Sequence, residues 1–424
     1  MSEHTFAARP LRDAVVEQMG GGTPSRQVPS YWKGDIPWAS VKDFPERPGI
    51  ISGTQEYISI AGLNASASNL IPARIPLVCT RMAVGRSAMS SFAMAINQDV
   101  RALFPAADVS SAYLLRLLEF VRPKAEAQAV GSTVKGIRIQ DYLGIEVPLA
   151  DAPQQSKIAE ILDTLDTAIH ETEALIAKLK AVKQGLLHDL LTRGIDANGE
   201  LRPPQSEAPH LYWRSSLGWI PKEWEVRLLD EVAVRGSGHT PSKSVSSYWN
   251  GDIKWVSLAD THRLDDIYIS ETDKTITALG IANSSAVLHP AGTVILSRDA
   301  GVGKSAVLAL DMAVSQHFMA WRCGDRLKGL FLYFYLQREK PKFEAISVGS
   351  TIKTIGLPFF RNYKIALPSW REQDQIVECL MSMEMKQADS FTEFSKLKKL
   401  KSGLMDDLLT GRVRVTPLLD AATA

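Results

Sequence analysis

Residues 23–43 read TPSRQVPSYWKGDIPWASVKD, and residues 240–260 read TPSKSVSSYWNGDIKWVSLAD. Thirteen of these 21 positions are identical at an offset of 217, where ordinary residue frequencies give about one or two by chance. Outward from this box the agreement continues. Gly131-Ser-Thr-Val-Lys135 returns as Gly349-Ser-Thr-Ile-Lys353, and Ala83-Val-Gly-Arg-Ser-Ala88 as Gly301-Val-Gly-Lys-Ser-Ala306. Leu186-Leu-His-Asp-Leu-Leu-Thr192 returns as Leu404-Met-Asp-Asp-Leu-Leu-Thr410. Solenoid repeats have periods of about 20–50 residues, so this is a half-molecule duplicated in tandem.

The 424 residues suffice for several domains, with 45% hydrophobic and 22% charged residues. Net charge is +1, which excludes a strongly basic nucleic-acid sponge or an acidic tail protein. Three Cys without CxxC spacing exclude a disulfide framework and a Cys-rich zinc site, and fit a reducing cytoplasm. No h-region follows Met1, and no apolar run reaches about 18 residues, so no membrane association is expected.

Each half has a head and a helix. In the heads (1–152 and 222–370), short β-like runs such as Ile75–Cys79, Val294–Leu296 and Lys364–Leu367 alternate with Gly, Pro, Asn and Ser. Helical pieces are expected near Ala112–Val121 and Leu327–Arg338, making the class α+β. From Ile158, stripe positions recur three and four apart: Ile161, Leu165, Ala168, Thr172, Leu175, Leu179, Val182 and Leu186. This predicts a coiled-coil helix over 153–195. Ile376, Leu380, Leu397, Leu400 and Leu404 mark its copy over 371–414. Residues 196–221, with the stretch NGELRPPQSEAP, read as linker, and 415–424 as a tail. Each single-striped helix needs a partner. Antiparallel packing of the two helices puts the heads at opposite ends of a spacer, the geometry of bipartite DNA recognition.

Head charge gives modest support: 1–150 holds 15 basic and 13 acidic residues, and 222–368 holds 18 and 15. Hydroxyls in Gly/Pro turns (Thr23, Ser25, Thr240, Ser242) suit phosphate contact, as do the polar loops of Ser132, Thr133 and Lys135 and of Ser350, Thr351 and Lys353. Arg81, Arg86, Arg298 and Lys304 are candidates for base or backbone contact, Arg being suited to guanine. The aromatics of the box (Tyr31, Trp32, Trp38 and their copies) read as core rather than as stacking platforms. Gly301-Val-Gly-Lys-Ser305 lacks the first Walker glycine, Arg298 standing there. No catalytic residue and no metal ligand set is identified.

In this order and twice over, the box, the two GST-[VI]-K segments, the blocks Gln155–Thr192 and Gln373–Thr410, and Gly218-Trp-Ile-Pro-Lys-Glu-Trp224 carry a resemblance. The sequence resembles the specificity subunit of a type I restriction–modification enzyme along nearly its whole length. The resemblance implies two target recognition domains reading double-stranded DNA, spaced by helices that hold two methyltransferase subunits and, through them, endonuclease subunits. It implies no cofactor on this chain, with S-adenosylmethionine, ATP and Mg²⁺ on the partners. Two departures qualify the equivalence of the heads: His239 stands where the first copy has Gly22, and the first copy lacks a counterpart of Trp224. A self-sufficient nuclease or methyltransferase and a protein-binding scaffold are the alternatives.

Overall fold

A computed structural model describes residues 5–348 and 354–420. The chain forms two compact units: residues up to 174 together with 392 onward, and residues 175–391. The division cuts both long helices rather than following the linear order of heads and spacers. Among the described residues no helix is long and apolar enough to cross a membrane.

In the first unit, a five-stranded sheet has the order Val15–Gly20, Val100–Pro105, Leu77–Cys79, Ser87–Ser90, Ile50–Ile51. A four-stranded sheet has the order Glu56–Ile58, Ile36–Ala39, Met94–Ile96, Leu70–Ile71. The second unit repeats both. Its five strands are Ala233–Ser237, Phe318–Cys323, Val294–Ser297, Ser305–Leu308 and Tyr268–Ile269, and its four are Lys274–Ile276, Trp249–Val256, Met312–Val314 and Leu288–His289. Even the mixed pairings match: Trp38 runs parallel to Ala95 and Trp255 to Ala313. The strands are short because turn residues interrupt every apolar run.

One helix covers each head's core, α1 (Ser111–Gln128) in the first unit and α3 (Gly329–Ile346) in the second. Both run past the C-terminal ends of the stretches predicted from sequence and continue through an internal proline, Pro123 or Pro341. An interior proline costs about 3 kcal/mol. Here buried residues beyond it, Ala125 and Phe343, keep the helix on the core.

The long helices are α2 (Ala152–Leu190) and α4 (Trp370–Thr410). Each is fastened to its head by a buried glutamine. Gln155 accepts from Ser110 N (2.9 Å) and donates to the Asp108 and Ala150 carbonyls. Gln373 does the same with Lys328 N, Arg326 O and Pro368 O.

The buried seam differs from the predicted stripe. Ile158, Leu165, Leu179 and Leu186 lie on it, but the intervening positions are Leu162, Ile169, Ile176 and Lys183. Leu175 and Val182, expected inside, are 45% and 46% exposed, and Ile161 is only partly buried. On α4, Ile376, Leu380, Leu397 and Leu404 face inward, whereas Leu400 is 50% exposed and Lys401 takes the inner place. The reason is electrostatic. In the first unit Lys401 reaches Asp166 at 2.6 Å, and in the second Lys183 reaches Glu384 at 2.5 Å. These are repeat equivalents, and inside each unit they join antiparallel stretches of α2 and α4.

The predicted linker is built into the second unit. Arg202 is 6% exposed and pairs with buried Glu372, which also accepts from Ile195 N (2.9 Å) and Trp224 Nε1 (3.0 Å). Tyr212–Ser215 and Gly218–Pro221 form a hairpin. In the first unit Phe6 occupies the place of Trp224. Its N–H donates to Thr410 O at 2.9 Å, and its ring lies 2.8 Å from where a Cβ on Gly411 (φ 78°) would stand. The first copy therefore keeps the aromatic plug with a different residue.

Candidate nucleic-acid interface

The aromatic box is scaffold. Trp32 and Trp38 meet edge to face at 5.0 Å, as do Trp249 and Trp255 at 5.2 Å. Their indole N–H groups hold the turn above them: Trp38 to Gly22 O (3.0 Å), Trp32 to Ser25 O (3.2 Å), Trp255 to His239 O (3.1 Å) and Trp249 to Ser242 O (3.0 Å). Because the acceptor is a main-chain carbonyl, His239 replaces Gly22 without changing the contact. Thr23, Ser25 and Ser242 are left exposed on the turn, and Thr240 is half-buried there.

From that turn a continuous polar path leads to the other candidates. Thr23 Oγ1 donates to Gln98 Oε1 at 2.5 Å, and Asp99, next in sequence, pairs with Arg81 at 3.2 Å. Arg81 bridges to Gly136, and Met82 N donates to Lys135 O at 3.0 Å. The loop carrying Ser132, Thr133 and Lys135 is exposed and tied off by reciprocal bonds between Val130 and Gly136. Segments more than a hundred residues apart in sequence thus share one face of the first head. In the second head Thr240 Oγ1 donates to Gln316 Oε1 at 2.6 Å, and His317 Nδ1 lies 2.7 Å from Asp299, which bridges to Thr354. Ser350, Thr351 and Lys353 fall outside the described residues.

The four cationic candidates are not alike. The Arg81 side chain is 54% exposed. Arg86 pairs with Glu46, and Lys304 donates to Thr261 O (3.1 Å) and lies 3.4 Å from Asp265. Arg298 donates to the carbonyls of Gln316 and Ile355 and is 19% exposed. These three brace loops, and Lys304 closes a hairpin turn in which Gly301 and Gly303 have φ of 89° and 86°. By main-chain bonding the counterpart of Arg298 is Thr80, so Arg81 corresponds to Asp299. The couple Arg81–Asp99 in one head is Asp299–His317 in the other.

Gln98 and Gln316 were not among the residues predicted from sequence. Both are exposed at turn tips, and a carboxamide offers the donor and acceptor that match an adenine edge. The repeat holds the signal, Met94-Ala-Ile-Asn-Gln98 against Met312-Ala-Val-Ser-Gln316. Among the described residues no group of three His, Cys, Asp or Glu is placed to hold a metal ion.

Comparison with known proteins gives one consistent family. The specificity subunit of type I restriction enzyme MjaIX from Methanocaldococcus jannaschii is 22% identical over 411 residues, 95% of this chain and 93% of that protein. The EcoR124I/EcoR124II specificity subunit from Escherichia coli is 27% identical over 213 residues, 48% of this chain and 46% of that one. The fold is shared with the S subunit of the type I restriction-modification system from M. genitalium (TM-score 0.58, 13% identity, covering 96% and 97% of the two chains). It is shared too with a chain solved in work on complex assembly and conformational transition of the type I R-M system (TM-score 0.61, 16% identity, 97% and 100%). The pattern of the Type I restriction modification DNA specificity domain matches residues 9–181 and 221–399. It spans most of both repeats, and the chain belongs to the type I restriction-modification DNA specificity family.

Proposed function

We propose that this chain is the DNA-recognition subunit of a type I restriction–modification complex, each head reading one half of a bipartite site in duplex DNA. The observation that carries the reading is a polar face built twice on one scaffold, Thr23–Gln98 and Thr240–Gln316, with different charges beside it. A shared scaffold with unlike neighbours suits two readers of unlike sequences. Thr23, Ser25, Ser132, Thr133, Thr240 and Ser242 take phosphates, and Lys135 adds charge; Arg81, Gln98 and Gln316 are the base-reading candidates.

In this role the subunit is non-catalytic. The helices set the gap between half-sites and dock two methyltransferase subunits, and endonuclease subunits join through the complex in the cytoplasm. S-adenosylmethionine, ATP and Mg²⁺ act on those partners. The names of the relatives, specificity subunits of type I restriction enzymes, support the assignment.

Methylome mapping of cells expressing the chain with its methyltransferase tests it. One bipartite motif is expected, with Gln98→Ala and Gln316→Ala each relaxing base choice in a different half. Base methylation or Mg²⁺-dependent cleavage by the purified chain alone overturns the non-catalytic reading.

A further inference from the structure

The two heads share a tryptophan floor but carry different charge above it, a neutral ion pair in the first and two cations in the second. In the first head the Arg26 guanidinium lies 3.5 Å from the Trp32 ring centroid and forms a two-pronged pair with Glu56, one arm at 2.8 Å. Glu56 stands across from Trp38 in the strand register. In the second head Lys243 replaces Arg26 in the box, and Lys274 stands across from Trp255 where Glu56 would be. Two ammonium groups repel, so the internal plug of the first head has no equivalent. A cavity of about 690 Å³ occupies this place, with Thr240, Lys243, Trp249, Trp255, Lys274 and Gln316 in its lining.

We infer that this cavity of the second head binds a nucleoside phosphate, the phosphate on Lys243 and Lys274 and the base against Trp249. The first head is the internal control. There a planar group already stacks on the equivalent ring, and its partner carboxylate occupies the position of Lys274. Reversing that charge selects an anion, and the volume lies within the range of ligand pockets, about 300–1,000 Å³. Aromatic stacking accepts any base. Thr240 and Gln316 belong to the proposed DNA face, so the nucleotide can come from a bound strand or from solution.

The test uses the full chain labelled with 5-fluorotryptophan, with the Trp249 ¹⁹F resonance assigned by Trp249→Phe. Titration with dAMP, with the single-stranded pentanucleotide pdT5 and with inorganic phosphate separates the sources. A Trp249 shift with dAMP alone identifies free nucleotide as the ligand; a shift with pdT5, with or without dAMP, identifies a DNA strand. The double variant Lys243→Arg/Lys274→Glu rebuilds the plug and weakens binding at least tenfold, while Arg26→Lys/Glu56→Lys opens the first head and makes Trp32 responsive. Silence at Trp249 overturns the inference, as does an unchanged affinity in the rebuilt variant or an equal response to inorganic phosphate. Its pdT5 arm extends the recognition reading, yet failure here leaves the methylation motif, which tests that reading, unaffected.

Discussion

Arg116 shows how one position can be solved in two ways by the same fold. It is 3% exposed and donates to Asp163 (3.0 Å) and Glu119 (2.9 Å) and pairs with Asp166, while Lys401 bridges Glu119 and Asp166. Burial opposes its charge, but the Asp163 hydrogen bond and the charges of Asp166 and Glu119 outweigh it and raise its pKa. The second repeat has Phe334, Gln337 and Met381 at the equivalent positions and keeps only Lys183–Glu384. Arg116→Ala leaves the partly buried Glu119 and Asp166 to Lys401 and is expected to cost about 1–3 kcal/mol in urea unfolding. The triple change Arg116→Phe/Glu119→Gln/Asp163→Met imports the other solution and should recover all but about 1 kcal/mol. The thiols and a buried phenol give a second residue-scale expectation. Burial pushes Cys79, Cys323 and Tyr113 up to about 12, against ordinary values of about 8.5 and 10. Groups raised in the folded state stabilise it fully below those ordinary values and stop doing so as pH climbs to the folded ones. Urea midpoints should therefore fall between about pH 8.5 and 12, and native chain at pH 8 should react quickly with a thiol reagent only at exposed Cys379. Such positions explain what sequence could offer. Hydroxyl turns and the GST-K loop announce themselves by composition, whereas Gln98 and Gln316 are neutral and become candidates only once folding puts them beside Thr23 and Thr240.

At the scale of the helix, existence and length were readable from the apolar repeat, and its phase was not. Adjacent positions offer two apolar choices: Ile161 or Leu162, Ala168 or Ile169, Leu175 or Ile176. Local pattern cannot rank them. The decision comes from the facing helix, because Lys183 and Lys401 meet carboxylates across the seam and turn Val182 and Leu400 outward. A partly buried charge pair at an otherwise apolar seam fixes register. Lys183→Glu sets two like charges against each other and should lower stability by about 0.5–3 kcal/mol. Lys183→Glu/Glu384→Lys should restore most of it, with a coupling energy of about 0.5–3 kcal/mol from the four-variant cycle. Additive effects would show that Lys183 sits inward for packing alone. The same limit explains the linker: polar and Pro-rich by composition, residues 198–209 are held because Arg202 finds Glu372, 170 residues away.

For the whole molecule the duplication is the organising fact, and it makes the proposed role quantitative. Gln155 and Gln373 fasten each long helix to a head through the same three main-chain contacts, so a change in helix length is transmitted to the head rather than absorbed in a loose joint. Removing residues 168–174 from α2 and 386–392 from α4 deletes one heptad at equivalent places and keeps Lys183–Glu384 and Asp166–Lys401 in phase. Seven residues shorten a helix by about 10 Å at 1.5 Å each, and successive base pairs lie about 3.4 Å apart. The methylated motif of the shortened subunit should therefore lose about three base pairs of gap while both half-site sequences stay as they were. A deletion of five residues in each helix instead rotates the seam by about 140°, pulls both lysines from their carboxylates, and should give unstable protein rather than a shorter gap. Replacing 222–370 with another head is the complementary change: one half-site should be rewritten, and the gap and the other half kept. If the heptad deletion alters the half-site bases, or the exchanged head alters the gap, reading and spacing are not separate properties of this chain.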